Sequence, residues 1–126
     1  AEESRAYIDC YDSYFKNESN YAYVARAFAD IRQQGIKNNF STILVVFPIF
    51  YDLENYKYLY AHTMLKNEAE KNNFYFLDLY PYYKDLNPND IKNPAKYDFI
   101  HPNPKGHLIA AEAINKFILE NNVITK

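Results

Sequence analysis

Thr42-Ile43-Leu44-Val45-Val46-Phe47 is an uninterrupted apolar run, rich in β-branched residues, that Pro48 ends. A run without polar alternation is typical of a strand buried on both faces, as in a parallel sheet. A second run, Phe-Tyr-Phe-Leu-Asp-Leu at residues 74–79, is ended by Pro81, and a helical pattern from about Lys57 to Asn72 lies between the two. A strand, a helix and a strand of these lengths predict a right-handed βαβ unit.

A helix is predicted before this unit. Its apolar residues recur at helical spacing, with Ser19 as the predicted cap and Gly35 as the predicted end. They are Tyr21, Val24, Phe28 and Ile31. Residues 1–18 have no clear period and are interpreted as a polar, Tyr-rich lead-in.

After the unit, residues 81–97 contain Asn-Pro pairs and predict a loop with short turns. The last helix then has a predicted cap at Asn103 and Pro104 at its first position. Four of its residues are predicted to face inward: Leu108, Ala111, Ile114 and Ile118.

The predicted fold class is α/β, with a parallel sheet that is incomplete at its N-terminal side. Two fully apolar strands and three helices leave apolar edges open, which proteins normally avoid. We therefore expect further strands, supplied by an N-terminal segment or by a second chain. The opening Ala-Glu-Glu-Ser, without Met, agrees with an upstream piece that was removed or left out. Residues 1–126 are thus expected to be the later part of one larger domain.

The composition argues against several classes of function. A net charge of −2 and the lack of a long basic run argue against a nucleic-acid-binding surface. The longest apolar run, residues 43–50, is far shorter than the ~20 residues that span a bilayer. Two glycines, Gly35 and Gly106, are too few for a P-loop or a glycine-rich dinucleotide turn. Cys10 is the single cysteine, which excludes an internal disulfide and a cysteine-based zinc site.

Residues with catalytic potential precede the last helix. Asp98 and His101 are three apart, so one tight turn can bring the carboxylate and the imidazole together. Pro102 favours an extended His101 with a projecting side chain. In serine hydrolases a carboxylate binds the histidine Nδ1–H, and Nε2 takes the proton of the nucleophile. Ligands of parallel sheets bind beyond the carboxyl ends of the strands, where residues 48–56, 80–97 and 98–103 are expected.

The segment from Asp98 to Ile114 reads Asp-Phe-Ile-His-Pro-Asn-Pro-Lys-Gly-His-Leu-Ile-Ala-Ala-Glu-Ala-Ile. It resembles the C-terminal block of the SGNH (GDSL-type) hydrolase family, where an Asp-x-x-His-Pro segment precedes a short glycine-containing stretch and an Ala-rich final helix. The order of elements before it is also similar, so that the resemblance covers residues 19–120.

This resemblance implies a three-layer, flavodoxin-like fold and an ester hydrolase or O-acyltransferase that acts on acyl esters, often of carbohydrates or lipids. Asp98 would be the orienting acid and His101 the general base of a Ser-His-Asp triad, and no cofactor is implied.

The nucleophile of the family is not recognisable in this sequence. It lies in a Gly-Asp-Ser-type block, followed by a glycine and a Gly-x-Asn-Asp block that bind the oxyanion. The four serines have no such context: Ser4, Ser13, Ser19 and Ser41. We therefore expect the catalytic serine to lie outside this chain. Alone, the chain is expected to be inactive, because it lacks both the attacking group and the oxyanion donors.

Other histidines are weaker candidates. His107 is in the first turn of the last helix, where the positive end of the helix dipole disfavours an imidazolium, and a structural or substrate-edge role is predicted. His62 shares an apolar stripe with Tyr58 and Leu65 and is predicted to be partly buried and hydrogen-bonded. The spacing of Asp98, His101 and His107 is not a strong zinc signature, and no metal is predicted.

A second class of function stays open at this point. The tyrosines Tyr51, Tyr56, Tyr58 and Tyr60 can line an acyl or sugar pocket, although most are expected to pack in the fold. The alternative is a non-catalytic SGNH-like module that binds a glycan or a partner protein through a tyrosine-rich rim. A third hypothesis is a stand-alone domain that dimerises by sheet pairing.

Overall fold

The computed structural model describes residues 10–124. The chain divides into two compact units, one built from residues up to Thr42 together with Tyr60–Tyr75, the other from Ile43–Leu59 together with the residues from Phe76 onward. In the first unit, residues 10–15 are helical, and the helix α1 (Glu18–Asn38) follows. The next helix, α2 (Leu59–Lys71), belongs to this unit except for its first residue, Leu59. The part of the predicted lead-in before Cys10, including Ser4, lies outside the described residues.

Both predicted ends of α1 are wrong. Asn17, not Ser19, caps the helix, because its side chain already accepts the Asn20 N–H at 3.1 Å. The helix continues through Gly35 and ends at Asn39, which has a left-handed φ of 55°. Gly35 is instead a site of close approach, since a Cβ there would lie 2.9 Å from the Phe40 carbonyl oxygen.

Aromatic side chains hold the first unit together. The Tyr21 hydroxyl donates to the Met64 carbonyl at 3.2 Å, and the Phe28 and Phe74 ring centroids lie 5.9 Å apart. Tyr60 donates a hydrogen bond to Asp12. These contacts fix α1 and residues 10–15 against α2. The buried polar or charged residues among the described part of this unit are His62, Glu68 and Asn72.

Among the residues that the structure describes, the sheet consists of two parallel strands, β1 (Ile43–Val46) and β2 (Tyr75–Asp78), so the predicted strands and their parallel pairing are confirmed. The Tyr75 N–H donates to the Thr42 carbonyl, and further along the Leu79 N–H donates to the Val46 carbonyl, both at 2.9 Å. The chain is therefore mixed α/β, as predicted at that level.

The segment predicted as loop contains two short helices in the second unit, α3 (Tyr80–Tyr83) and α4 (Pro88–Ile91). Each has a proline in its first turn, where the missing N–H costs nothing and the fixed φ favours a helix. The last helix, α5 (Pro104–Glu120), has the predicted cap, because the Asn103 side chain accepts the Gly106 N–H at 2.9 Å.

The core of the second unit lies between β2, the short helices and α5. Its largest fully buried side chains include Phe50, Leu79 and Tyr83, and α5 contributes Ala110 and Ala113. The Tyr83 hydroxyl donates to the Gly106 carbonyl at 2.6 Å, and desolvation raises the pKa of Tyr83 to about 12, so the donor stays protonated.

The predicted inward face of α5 is partly wrong. Leu108 is 59% exposed and Ala111 is exposed as well, while Ile114 and Ile118 are half-buried. The buried face follows Gly106, Ala110 and Ala113, since small residues at this spacing let the helix approach the core closely. None of the helices within residues 10–124 combines the length and the apolar character that crossing a bilayer requires.

Candidate functional site

The residues before α5 fold back on themselves. Lys92 and Pro102 form an isolated antiparallel bridge, and the Asn93 N–H donates to the His101 carbonyl at 2.8 Å. Between them the Asn93 side chain accepts the Ala95 N–H at 2.9 Å. Residues 92–102 therefore form a closed loop, called the dyad loop below, with Asp98 and His101 on its returning side.

Asp98 and His101 are in contact, as the sequence predicts. The imidazole Nδ1 lies 3.0 Å from each of the two carboxylate oxygens of Asp98. Oδ1 also accepts the backbone N–H of Ile100 at 3.2 Å and that of His101 at 3.0 Å. The carboxylate is thus fixed by its own following residues, and the imidazole is fixed by the carboxylate.

Hydrogen bonding sets the charge of this pair. Desolvation acts to raise the pKa of Asp98, but the hydrogen bonds from the His101 amide, the His101 ring and the Ile100 amide outweigh it, and the pKa lies below its ordinary value. An ionised carboxylate only accepts hydrogen bonds, so Nδ1 carries the ring proton and a neutral His101 has its lone pair on Nε2.

Exposure differs between the two side chains. The Asp98 side chain retains 19% of its accessible surface and the His101 side chain 67%. Because Nδ1 is bound to the carboxylate, Nε2 is the ring nitrogen that remains for an external group. The arrangement is one in which a fixed, basic imidazole nitrogen can take a proton from a molecule or a side chain that reaches the loop.

The segment after β1 supports the dyad loop. The Phe50 N–H donates to the Phe99 carbonyl at 2.6 Å, and the Tyr51 ring meets the Phe99 ring edge-to-face at a centroid distance of 5.2 Å. Phe99 lies between Asp98 and His101 in the sequence, so these two contacts attach the segment that carries the pair to the segment after β1. The sequence places residues 48–56 near the pair, but nothing in it singled out Phe50.

The start of α5 supports the loop from the other side. The Asn103 N–H donates to the Ile91 carbonyl at 2.8 Å, and its side-chain amide donates to the Asp90 carbonyl at 2.9 Å. Gly106 leaves the room for this approach, because a Cβ there would overlap the Ile91 carbonyl oxygen. In the sequence Gly106 was only part of the family-like block, and its packing role follows from the structure alone.

The contacts given above for the pair involve none of the other candidate residues. His107 is exposed in the first turn of α5. His62 in α2 is buried, where partial burial was predicted, and it has an interaction partner. The Ser13 hydroxyl donates to the Cys10 carbonyl at 2.8 Å, and Ser19 and Ser41 are exposed. Within residues 10–124, no group of three or more His, Cys, Asp or Glu side chains is placed to hold a metal ion.

Two of the loops predicted to form the ligand rim line a groove of about 470 Å³. Its walls are residues 52–54 and 84–88, with Asp52, Glu54 and Asp85 among them. The pair is not among its lining residues, so the groove is a separate feature of the second unit.

Comparison with known proteins adds no relative to these observations. The chain matches no protein-family model, no curated protein and no solved structure.

Proposed function

We propose that this chain supplies the acid–base half of a serine ester hydrolase of the SGNH type, with Asp98 as the orienting acid and His101 as the general base. The observation that carries the proposal is the imidazole Nδ1 at 3.0 Å from both carboxylate oxygens, which leaves Nε2 as the ring nitrogen that is not bound to the carboxylate, in a side chain that is 67% accessible. The family-like block from Asp98 to Ile114 supports the same reading.

The proposed reaction is acyl transfer in two steps. Nε2 of His101 takes the hydroxyl proton of a serine while the serine oxygen forms a bond to the ester carbonyl carbon. The bond to the alcohol then breaks, and Nε2 returns the proton to the leaving oxygen. Water repeats the sequence on the acyl-enzyme and releases the acid. Asp98 stabilises the imidazolium that forms in each step and stays ionised throughout.

The proposal assigns the serine and the oxyanion donors to an N-terminal segment or a second chain that extends the sheet. In support, Ile43, Leu44 and Val45 are only half-buried although all are apolar, and β1 pairs with β2 alone among the described residues. A strand added beside β1 would cover them and would complete a three-layer, flavodoxin-like fold. The chemistry needs only side chains and backbone amides, so the proposed enzyme uses no cofactor.

Hydrolysis of p-nitrophenyl acetate by the full-length gene product tests this assignment. His101→Ala is expected to lower kcat by about 10³-fold or more, since the general base is lost. His107→Ala is the comparison variant, because His107 is also exposed and lies six residues away; a structural or substrate-edge role predicts at most a change in KM, with kcat unchanged. Activity that survives His101→Ala would refute the proposed role of the pair.

A glycan- or protein-binding module is the second candidate. Tyr51, whose ring contacts Phe99, and Tyr97, which precedes Asp98 in the sequence, are 40% and 46% exposed, and tyrosines are enriched in binding surfaces. The same variants separate the two candidates. A module would show no esterase activity for His101→Ala to remove, and no Gly-Asp-Ser motif would be found upstream.

A further inference from the structure

Lys92 is a buried lysine at the start of the dyad loop. Only 6% of its surface is accessible, although lysine is rarely buried unless its charge is paired. Its ammonium donates to the Asn93 carbonyl at 2.9 Å and to the Ala95 carbonyl at 3.2 Å, and it lies 5.4 Å from the centroid of the Phe99 ring. The described partners are thus two carbonyl oxygens and an aromatic ring, and no carboxylate is among them.

All three partners belong to the loop that carries the pair. The Ala95 carbonyl also accepts the Asp98 N–H at 3.1 Å, and Phe99 follows Asp98 directly. Asn93 is linked to the other end of the pair, since its N–H donates to the His101 carbonyl. A single ammonium therefore contacts the outgoing and the returning side of the loop.

We infer that Lys92 is a positioning residue for the Asp98–His101 pair, whose ammonium holds the dyad loop in the shape that brings carboxylate and imidazole together. The inference rests on the proposed function for its catalytic meaning, but not for its geometry. Desolvating a charge is costly, and an apolar side chain would fill the same volume at lower cost. The ammonium is therefore explained by the two carbonyls that it orients better than by core packing.

Three variants of this chain test the inference. Lys92→Met keeps the alkyl stem and removes the charge, while Lys92→Arg keeps a donor for both carbonyls. Lys96→Met is the matched control, because it removes the same charge from the same loop at an exposed lysine that lies over the Tyr97 ring.

The readouts are local to the pair. In Lys92→Met, NMR titration should show the pKa of Asp98 moving up toward the ordinary aspartate value. Hydrogen exchange of the His101 amide, which donates to Asp98, should accelerate about tenfold or more, as expected when a hydrogen bond to a charged group is lost. Lys92→Arg should restore both, and Lys96→Met should change neither.

A purely structural lysine would give a different result. In that case, Lys92→Met would accelerate hydrogen exchange of the slowest-exchanging core amides as much as exchange of the His101 amide, and it would leave the titration of Asp98 unchanged. That outcome, an unfolded Lys92→Met chain, or an equal effect of Lys96→Met would each overturn the inference.

In the full-length enzyme, Lys92→Met should lower kcat about 10- to 100-fold at constant KM, as for other residues that orient a functional group. The two hypotheses fail separately. If His101→Ala leaves ester hydrolysis intact while Lys92→Met still alters the titration, the proposed function is wrong and the positioning role stands.

Discussion

Replacement of Gly106 by alanine is expected to destabilise the protein and to disturb the dyad loop. Gly106 lies in the first turn of α5 and is buried. A Cβ at this position would overlap the Ile91 carbonyl oxygen and lie 2.8 Å from Pro102 Cβ. Carbon atoms normally approach to about 3.5–4.0 Å, so the helix and residues 91–102 must separate.

The magnitude follows from two opposing effects. Overpacking a well-packed site costs about 1–3 kcal/mol, and a clash with backbone belongs at the upper end because no rotamer change relieves it. Alanine is the better helix former by at most about 1 kcal/mol. We therefore expect Gly106→Ala to lower the free energy of unfolding by about 2 kcal/mol, measured by urea unfolding followed by circular dichroism.

Gly35→Ala is the natural control for this experiment. Its Cβ would lie 2.9 Å from the Phe40 carbonyl oxygen, which is also backbone, but this overlap is smaller than the overlap with the Ile91 carbonyl oxygen at Gly106. The helix-propensity gain offsets part of the contact cost, so Gly35→Ala should lower the free energy of unfolding by less than Gly106→Ala does, by about 1 kcal/mol. If Gly106→Ala is as stable as the wild type, or less affected than Gly35→Ala, the packing argument for α5 is wrong.

Two further predictions concern the same unit. Asp98→Asn should remove part of the dependence of stability on pH, because the pKa of Asp98 is lower in the folded protein than in the unfolded chain. The stabilisation by its charged form is complete above the unfolded pKa of about 3.9 and is lost as the pH falls through the folded pKa. In urea unfolding, the difference between wild type and Asp98→Asn should therefore be larger at about pH 7 than at about pH 2. An equal difference at both pH values would contradict this account. Tyr83→Phe removes the hydroxyl that donates to the Gly106 carbonyl and should cost about 0.5–1.5 kcal/mol in the same assay, whereas an unchanged midpoint would show that water replaces the bond.

The two strands and the start of the last helix could be predicted from the pattern of apolar residues and from residues that begin or end such elements. The apolar runs around Ile43–Val46 and Tyr75–Asp78 have no polar alternation, and Asn103-Pro104 is a strong helix start, so these elements follow from local chemistry alone. The pair itself was also predictable, because Asp98 and His101 meet within one turn and need no distant partner to find each other.

Other features depend on tertiary contacts that a sequence does not display. Gly35 has the residue type of a helix end but is needed inside α1, where the chain after the helix returns against it. Leu108 is apolar yet exposed, because the buried positions of α5 are Gly106, Ala110 and Ala113, and the large residues that pack against the core are Ile109, Ile114 and Phe117. Lys92 carries a charge that predicts exposure, and its burial is understood only with its tertiary partners, which are two carbonyls of the dyad loop and the Phe99 ring.

The bond from the Phe50 N–H to the Phe99 carbonyl joins two segments that are far apart in the sequence. The entropic cost of closing a chain segment rises with its length, so closing this contact costs more than forming the local bonds within residues 92–102, and the pairing of β1 with β2 lowers that cost. A peptide spanning the dyad loop would contain both side chains of the pair without this anchor. The contact of Asp98 with His101 is local and can form without the sheet, whereas the anchoring of the dyad loop through Phe99 is coupled to assembly of the sheet.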